Sequence, residues 1–415
     1  MALPNTGMPR EAIFAHLDDL KANDVKWRDG RAFTLVYYAG DEVLAVAEEA
    51  YRRYSTENAL NTDAFPSLRT IQAEVVAIVG DWLRADDQAA GFMTSGGTES
   101  ILLAVKAARE RGRAEFGITA PNVVLPTSAH AAFEKGCNYF GLESRRIPVG
   151  GDWRADVEAM EAAVDHNTVL LVASAPQYPQ GVIDPVEDIA ALAATRNINC
   201  HVDACMGGVV LTYLARLGEV IPPWNFAVPG VTSISVDLHK FGYTAKGASV
   251  IMHRTKQLRS YQTYVTDNWL GGVYGSSGVL GTKGGGSMAA AWAVMHYLGD
   301  KGYTRVTAAA RQACIQLAES IAEIPELTIR ARPDATLLAF GAADPEQLDV
   351  FAVADGLWRR GWYVDRQGPP PSLHCTVSNV HQGKIEPFVA VLQAAVAEAV
   401  PSLQAGRLGV YGTVE

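Results

Sequence analysis

The chain has 415 residues, 48% of them apolar, and a formal net charge of −10 at pH 7. That length suits one large domain or two ordinary ones, and the apolar share is that of a globular core. The acidic balance argues against a nucleic-acid partner, whose phosphates need a basic face.

The first 55 or so residues read as an arm, with helical patterns near 11–22 and 42–54 and the aromatic stretch FTLVYYAG between them. The arm opens on MALPNTGMPREAIFAHLDDLKAND, which carries charges throughout and has no apolar h-region, so neither a signal peptide nor a membrane span is expected. Residues 56–299 read as a large α/β domain. The short apolar runs GFMTS, NVVLP, SRRIPV, TVLLVAS, INCHVD, TSISVD and ASVIMH alternate with helical patterns at 69–84, 97–111, 154–164 and 186–196. Such alternation predicts βα units on a mostly parallel sheet. The run GGVYGSSGVLGTKGGGS (271–287) is too long and glycine-rich for a plain turn, and such loops tend to be functional. From 300 to 415 a smaller α+β domain is expected, with helices at 304–323, 347–360 and 384–399 and strands near 327–331, 335–340, 362–365 and 373–378.

The nine histidines fall in no metal-ligand spacing, with no HExxH or CxxC, so no metal is expected. Cys137, Cys200, Cys205, Cys314 and Cys375 are scattered and odd in number, which predicts reduced thiols in the cytoplasm.

Five strand ends carry chemistry. MTSGGTES (93–100) joins a strand to a helix; Gly96 and Gly97 let the backbone approach a ligand, the free N–H groups of the first turn favour an anion, and Thr98 adds a hydroxyl. The same turn also reads as ordinary capping. NCHVDACMGG ends a strand in Asp203, either a carboxylate facing the ligand crevice or a cap of the next turn. TSAHAAFEKG sets His130 at a helix start, as a ring over a ligand or a packed histidine, and SAPQYPQGVIDP sets Tyr178 in a loop. SVDLHKFGYTAKGASVIMHR places Asp237, Leu238, His239, Lys240 and Lys246 between two apolar strands, which is not how a surface hairpin is written. A phosphate cradle, a carboxylate, a histidine and a lysine in one α/β domain suit pyridoxal 5'-phosphate. The lysine would hold its aldehyde as a Schiff base, Asp203 would keep its pyridine nitrogen protonated, and the helix N-terminus would take its phosphate.

With these motifs the chain resembles the fold type I, group II decarboxylase family, and within it the lyases that act on sphingosine 1-phosphate. TSGGTESILLAVKAARE, SAHAAFEKGCNYFG, PQYPQGVIDPVEDIA, HVDACMGG, GVTSISVDLHKFGYTAKGASVI and GGVYGSSGVLGTKGGG carry the likeness, from about Gly30 to about Phe388. The stretches around Tyr178 and Lys246 are lyase-like. The resemblance implies that Lys240 bears the cofactor, His130 stacks on it, Asp203 pairs with its ring nitrogen, and Gly97, Thr98 and His239 bind its phosphate. Thr282 would join them from a second subunit of an obligate homodimer. It further implies Tyr178 at the reacting carbon and Tyr37, Lys246 and the segment of Asn58 and Asn61 at the substrate. One departure stands out. Where the lyases have Asn-Pro-Leu-His, this chain has Asn58, Ala59, Leu60 and Asn61, so the histidine expected on a substrate phosphate is an amide that cannot become a cation. The membrane anchor of the lyases is not expected here. The implied reaction is retro-aldol cleavage of a phosphorylated, lipid-like 2-amino-3-hydroxy compound. The alternatives are α-decarboxylation of an amino acid, a lyase for an unphosphorylated substrate, and a silent relative kept as an interaction module.

Overall fold

The computed structural model describes residues 2–399. In chain order, α1 (Arg10–Leu20), α2 (Asp41–Arg53) and α3 (Pro66–Trp82) precede β1 (Ala90–Thr94) and α4 (Gly97–Phe116). Then come β2 (Asn122–Pro126), α5 (Ala132–Phe140), β3 (Glu143–Ile147), α6 (Val157–Ala163), β4 (Thr168–Ser174), α7 (Val186–Thr195), β5 (Asn199–Asp203) and α8 (Gly207–Arg216). β6 (Ser233–Asp237), β7 (Ser249–His253), α9 (Lys256–Ser260), β8 (Tyr264–Thr266), β9 (Tyr274–Ser276) and α10 (Gly285–Ala322) follow. The chain continues through β10 (Leu327–Ile329), β11 (Leu337–Ala342), α11 (Val350–Arg359), β12 (Asp365–Gln367), β13 (Ser372–Thr376) and α12 (Ile385–Glu398).

Seven strands form one sheet in the order β1-β7-β6-β5-β4-β2-β3. Strands β3, β2, β4, β5 and β6 run parallel, while β7 is antiparallel to both β6 and β1. Every residue of β2, β4, β5 and β6 is buried. Helices cover both faces of such strands, so they read as continuous apolar runs, not as alternation. Because β2, β4, β5 and β6 are parallel, the loops leaving their carboxyl ends gather at one edge of the sheet, where ligands bind in open α/β sheets.

A second sheet, β10-β11-β13-β12, is antiparallel throughout and packs its own core, including Phe340, Leu357, Leu373 and Phe388. The arm is woven into it. Ala32 bridges Tyr363, the Phe33 carbonyl accepts from the Thr376 N–H at 2.6 Å, and the fully buried Phe33 ring stacks on His381 at 4.2 Å. In α2, Asp41 and Glu42 lie in the first turn and Arg52 and Arg53 in the last, which suits the helix dipole, and Val43 and Ala47 enter the large core. α1 buries none of its residues. Among the described residues no helix is long and apolar enough to cross a membrane.

Several elements differ from the sequence-based expectation. α10 begins at Gly285 rather than 304, and is broken at Gly299 (φ 55°, ψ −172°), the expected division between the two later domains. α8 was not predicted. Its sequence GGVVLTYLAR is buried around most of its circumference, so it has no polar stripe to give a period. The glycine-rich run holds β9, which pairs with β8 as a short hairpin. The strand expected at 362–365 lies at Asp365–Gln367. Residues 400–415 of the expected C-terminal domain lie outside the described residues.

Candidate active site

At the carboxyl edge of the parallel strands is a cavity of about 380 Å³, whose lining includes Gly97, Thr98, His130, Tyr178, Asp203, His239, Lys240 and Lys246. Eight of the twelve residues to which the family resemblance gives a role therefore converge on one space.

The lysine is set by strand pairing. Asp237 ends β6 opposite Ser249 of β7, and Ser249 Oγ donates to Asp237 Oδ1 at 2.6 Å. Ser249 is itself reached by Ser100, which contacts Thr94, so a line of buried hydroxyls backs the carboxylate. Asp237 Oδ2 lies 3.0 Å from Lys240 Nζ, one turn further along the chain. Burial raises the carboxyl pKa of Asp237, but Lys240, His239 and Ser249 outweigh it and hold it below the usual range. The sequence displayed Asp237 beside Lys240 but gave it no role; only its pairing to Ser249 identifies it as the counter-ion.

The phosphate-type turn is built as the glycines suggested. No side chain caps the N-terminus of α4. A Cβ on Gly97 would stand 2.8 Å from both Asp237 Oδ2 and Cys205 Sγ, so no larger residue fits there without moving buried groups. Glu99 accepts from the Ser95 N–H at 2.6 Å and the Ser95 hydroxyl at 2.7 Å, and its other oxygen accepts from the Val279 N–H at 2.8 Å. It thus ties the turn to the glycine-rich loop, a link hidden in the sequence because the partners are 180 residues apart.

Asp203, at the end of β5, accepts from the Cys205 N–H at 3.0 Å and from Ser235 Oγ at 3.3 Å, both at Oδ1. It is only 8% exposed. That leaves Oδ2 for a donor in the cavity. His130 precedes α5, and its Nδ1 accepts from the Ala132 N–H at 3.1 Å. Burial lowers its pKa more than Asp203 raises it, so the imidazole is neutral. His239 differs, because its Nδ1 lies 2.8 Å from the Ala248 carbonyl oxygen and must carry the hydrogen. Its Nε2 is then a donor only when a second proton is taken up, which burial opposes and Asp237 favours.

Lys246 Nζ donates to the His239 carbonyl at 3.3 Å and stands 4.9 Å over the Tyr37 ring. Although part of the side chain meets solvent, the packing around its amine, and then the nearby Lys240, push its pKa down to about 8. Tyr37 donates to Met206 Sδ at 3.7 Å and touches Phe241 edge-on, which puts it beside the cavity rather than in its lining.

Tyr178 Oη donates to Asp365 Oδ2 at 2.6 Å, and its ring stacks on His374 at 4.0 Å. Asp365 and His374, from the small sheet, and Thr34, from the arm, were not singled out from sequence. Nothing local marks them.

Asn58, Asn61 and Thr282 do not line this cavity. Asn61 Oδ1 accepts from the Asp63 N–H at 2.9 Å, closing a local turn. Asn58 Oδ1 accepts from the N–H groups of Leu60 and Lys283, and its backbone bridges Gly284. The asparagine segment and the Thr282 loop thus form one unit. The next residue, Lys283, is drawn inward over Phe92 and donates to the Met93 carbonyl, and burial pushes its pKa down to about 8.

The donor set fits pyridoxal phosphate. It offers an uncapped helix N-terminus for a phosphate, a buried carboxylate with a free oxygen for a protonated ring nitrogen, a neutral imidazole and a primary amine around one space.

Residues 1–343 match the pyridoxal-dependent decarboxylase conserved domain. The chain is 39% identical to a sphingosine-1-phosphate lyase of Oryza sativa subsp. japonica over 99% of its own length and 77% of that protein. It superposes on the sphingosine-1-phosphate lyase of Burkholderia pseudomallei with a TM-score of 0.91 at 37% identity, covering 96% of this chain and 93% of that one. The glutamate decarboxylase of Lactobacillus brevis shares the fold at a TM-score of 0.84 and 19% identity, covering 96% and 95%.

Proposed function

The chain belongs to the pyridoxal-dependent decarboxylase family, and from that premise we propose that it is a carbon–carbon lyase cleaving a phosphorylated 2-amino-3-hydroxy compound of the sphingosine 1-phosphate type to an aldehyde and phosphoethanolamine. The single observation that carries this reading is Lys246, a cation held over Tyr37 at the wall of the cavity that also contains Lys240 and Asp203. That second cation suits a phosphate dianion, whereas an amino acid without an acidic side chain would bring only its α-carboxylate to it.

Pyridoxal phosphate, when bound, supplies an aldehyde that captures amines and a ring that accepts the electron pair of a breaking bond. Lys240 is the residue to carry it, with Asp237 keeping the amine in place beforehand. Asp203 would hold the proton on the ring nitrogen through its unused oxygen. His130, neutral, would lie against the ring without adding charge. Gly97 and Thr98 would offer the first-turn N–H groups and a hydroxyl to the phosphate. His239 would join them by taking a second proton, which a nearby dianion favours. Lys246 and Tyr37 would hold the substrate's phosphate, and Tyr178 would stand at the substrate hydroxyl.

The working unit in this reading is a homodimer in the cytoplasm. The loop carrying Thr282 exposes Trp269, Leu270 and Val273. A second copy would cover these side chains and receive Thr282 at its own cofactor phosphate. Asn58 and Asn61 would move with that loop, since Asn58 is bonded to it. All five cysteines are buried and unpaired, which suits a reducing compartment.

The test is to incubate the cofactor-loaded enzyme with sphingosine 1-phosphate, its unphosphorylated analogue and a panel of amino acids, and to identify the products. Aldehyde and phosphoethanolamine are expected. Carbon dioxide from an amino acid, with no aldehyde from the phosphorylated compound, would overturn the proposal in favour of decarboxylation.

A further inference from the structure

Resting on the cleavage reading above, we infer that Tyr178 and Asp365 form a proton relay in which Asp365, on the small sheet, is the final acceptor of the substrate's hydroxyl proton. Four side chains from three distant segments meet here. Tyr178 Oη donates to Asp365 Oδ2 at 2.6 Å, and Thr34 Oγ1 donates to the same oxygen at 2.8 Å while lying 3.3 Å from Tyr178 Oη. The Tyr178 ring is fixed by His374, stacked at 4.0 Å with an interplanar angle of 29°. His374 is in turn held by the Thr376 hydroxyl at 2.9 Å and lies opposite Asp365 in the pairing of β12 with β13. Clamp and acceptor are therefore set by one strand register.

A phenol behind a cleavage site invites the role of base, but burial and then the charge of Asp365 hold this one well above its ordinary pKa. Tyr37 adds to the same effect. His374 is neutral, its pKa driven down to about 4 by burial, so it supplies no compensating charge. Tyr178 thus stays protonated and cannot act as a phenolate. A neutral phenol takes up a proton only if its own proton leaves in the same event, and Asp365 stands where that proton points. The step balances. The substrate O–H bond breaks and its proton goes to Tyr178 Oη; the Tyr178 O–H bond breaks and its proton goes to Asp365 Oδ2. The freed oxygen pair would form the aldehyde C=O as the C2–C3 bond breaks, and pyridoxal phosphate, when bound, would supply the acceptor for the C2–C3 pair. No outside oxidant or reductant is needed. Asp365 is half-buried, so the proton it accepts can pass to solvent.

The test uses Asp365→Asn, which keeps the shape and removes the acceptor. With the loaded enzyme and the phosphorylated substrate, the single-turnover cleavage rate should fall by about 100-fold, the size of a lost general base, with KM changed by less than about threefold. Tyr178→Phe should cost a similar factor, and the double variant no more than either alone. Ring-carbon NMR of labelled tyrosine in cofactor-free protein, assigned with Tyr178→Phe, gives a second readout. Tyr178 should stay protonated to the top of the accessible range in wild type and titrate at lower pH in Asp365→Asn. The wild-type rate in mixtures of light and heavy water should bow as for two protons in flight, a measurement that holds even if Asp365→Asn does not fold. If wild type cleaves and Asp365→Asn cleaves as fast, or the wild-type dependence is that of one proton, the relay is wrong and the lyase reading stands. If wild type yields no aldehyde, the lyase reading fails and takes the relay with it.

Discussion

Lys246 makes the sharpest prediction, because its charge titrates within a workable range. Its amine is pushed down to about 8 by its packed surroundings and by Lys240. A folded-state pKa below the ordinary lysine value means the cation is present below about pH 8 and lost as pH rises through it. The second ionisation of a phosphate ester lies near pH ~6, so from pH 7 upward the substrate's phosphate is constant in charge and only its partner changes. With a pKa of about 8, the charged fraction of Lys246 falls roughly tenfold between pH 7 and pH 9. The value of kcat/KM, which reports the free enzyme, should fall by about the same factor for the phosphorylated substrate and not for its unphosphorylated analogue. The analogue carries the same amine, so any titration there cancels. Lys246→Ala should abolish the difference in slope and cost about 10- to 150-fold in kcat/KM on the phosphorylated substrate. That range corresponds to losing about 1.5–3 kcal/mol from a hydrogen bond to a charged group. Lys246→Arg should keep the affinity and carry the falling limb out of range, since a guanidinium does not titrate below pH ~12. The assay is steady-state kinetics at half-unit steps from pH 7 to 9.5 on both substrates. Parallel profiles, or a Lys246→Ala enzyme indifferent to the phosphate, would refute the reasoning.

Lys240→Ala should remove covalent cofactor attachment, seen as loss of the long-wavelength absorbance that borohydride otherwise fixes, and lower turnover by far more than tenfold; one tenth of wild-type activity would sink the assignment. Gly97→Ala should weaken both fold and cofactor binding. Its new Cβ meets Asp237 and Cys205 at 2.8 Å, and Asp237 is already pinned by Ser249 and Lys240, so an overpacking cost of about 1–3 kcal/mol is expected in a denaturant titration of the cofactor-free protein, and an unchanged midpoint would contradict it. Acid should unfold the protein early. His201, His253, His374 and His381 are buried and neutral, each pushed down to about 4 by burial. The unfolded chain therefore binds more protons as pH falls from about 6.5 toward 4, and stability present above 6.5 is lost across that window, by up to about 1.4 kcal/mol per pH unit per histidine. Guanidinium midpoints at pH 7.5, 6.5 and 5.5 should drop steeply, and a flat series would show that these rings are not held neutral.

Local pattern made the βα order legible, together with the strand ends that carry Gly97, His130, Tyr178, Asp203 and Lys240. Apolar runs, helical periods and glycine turns are short-range features, and a parallel sheet sends every such strand end to one edge. The lysine after His239 was legible for the same reason. What gives each group its chemical state was not. Asp237 becomes a counter-ion only through β7, which brings Ser249 to it from 12 residues away. Lys246 acquires its low pKa only from the packing that sets it over Tyr37 and near Lys240. The stretch that read only as an N-terminal arm supplies Phe33 to the second core and Thr34 to the cluster behind Tyr178. The partners of that cluster, Thr34 and Asp365, are 331 residues apart in the chain. No period or spacing in a sequence encodes a meeting of that kind. It is fixed by how two sheets, each satisfying its own backbone hydrogen bonds and apolar faces, come to rest against each other, and that is where Tyr178 finds its proton acceptor.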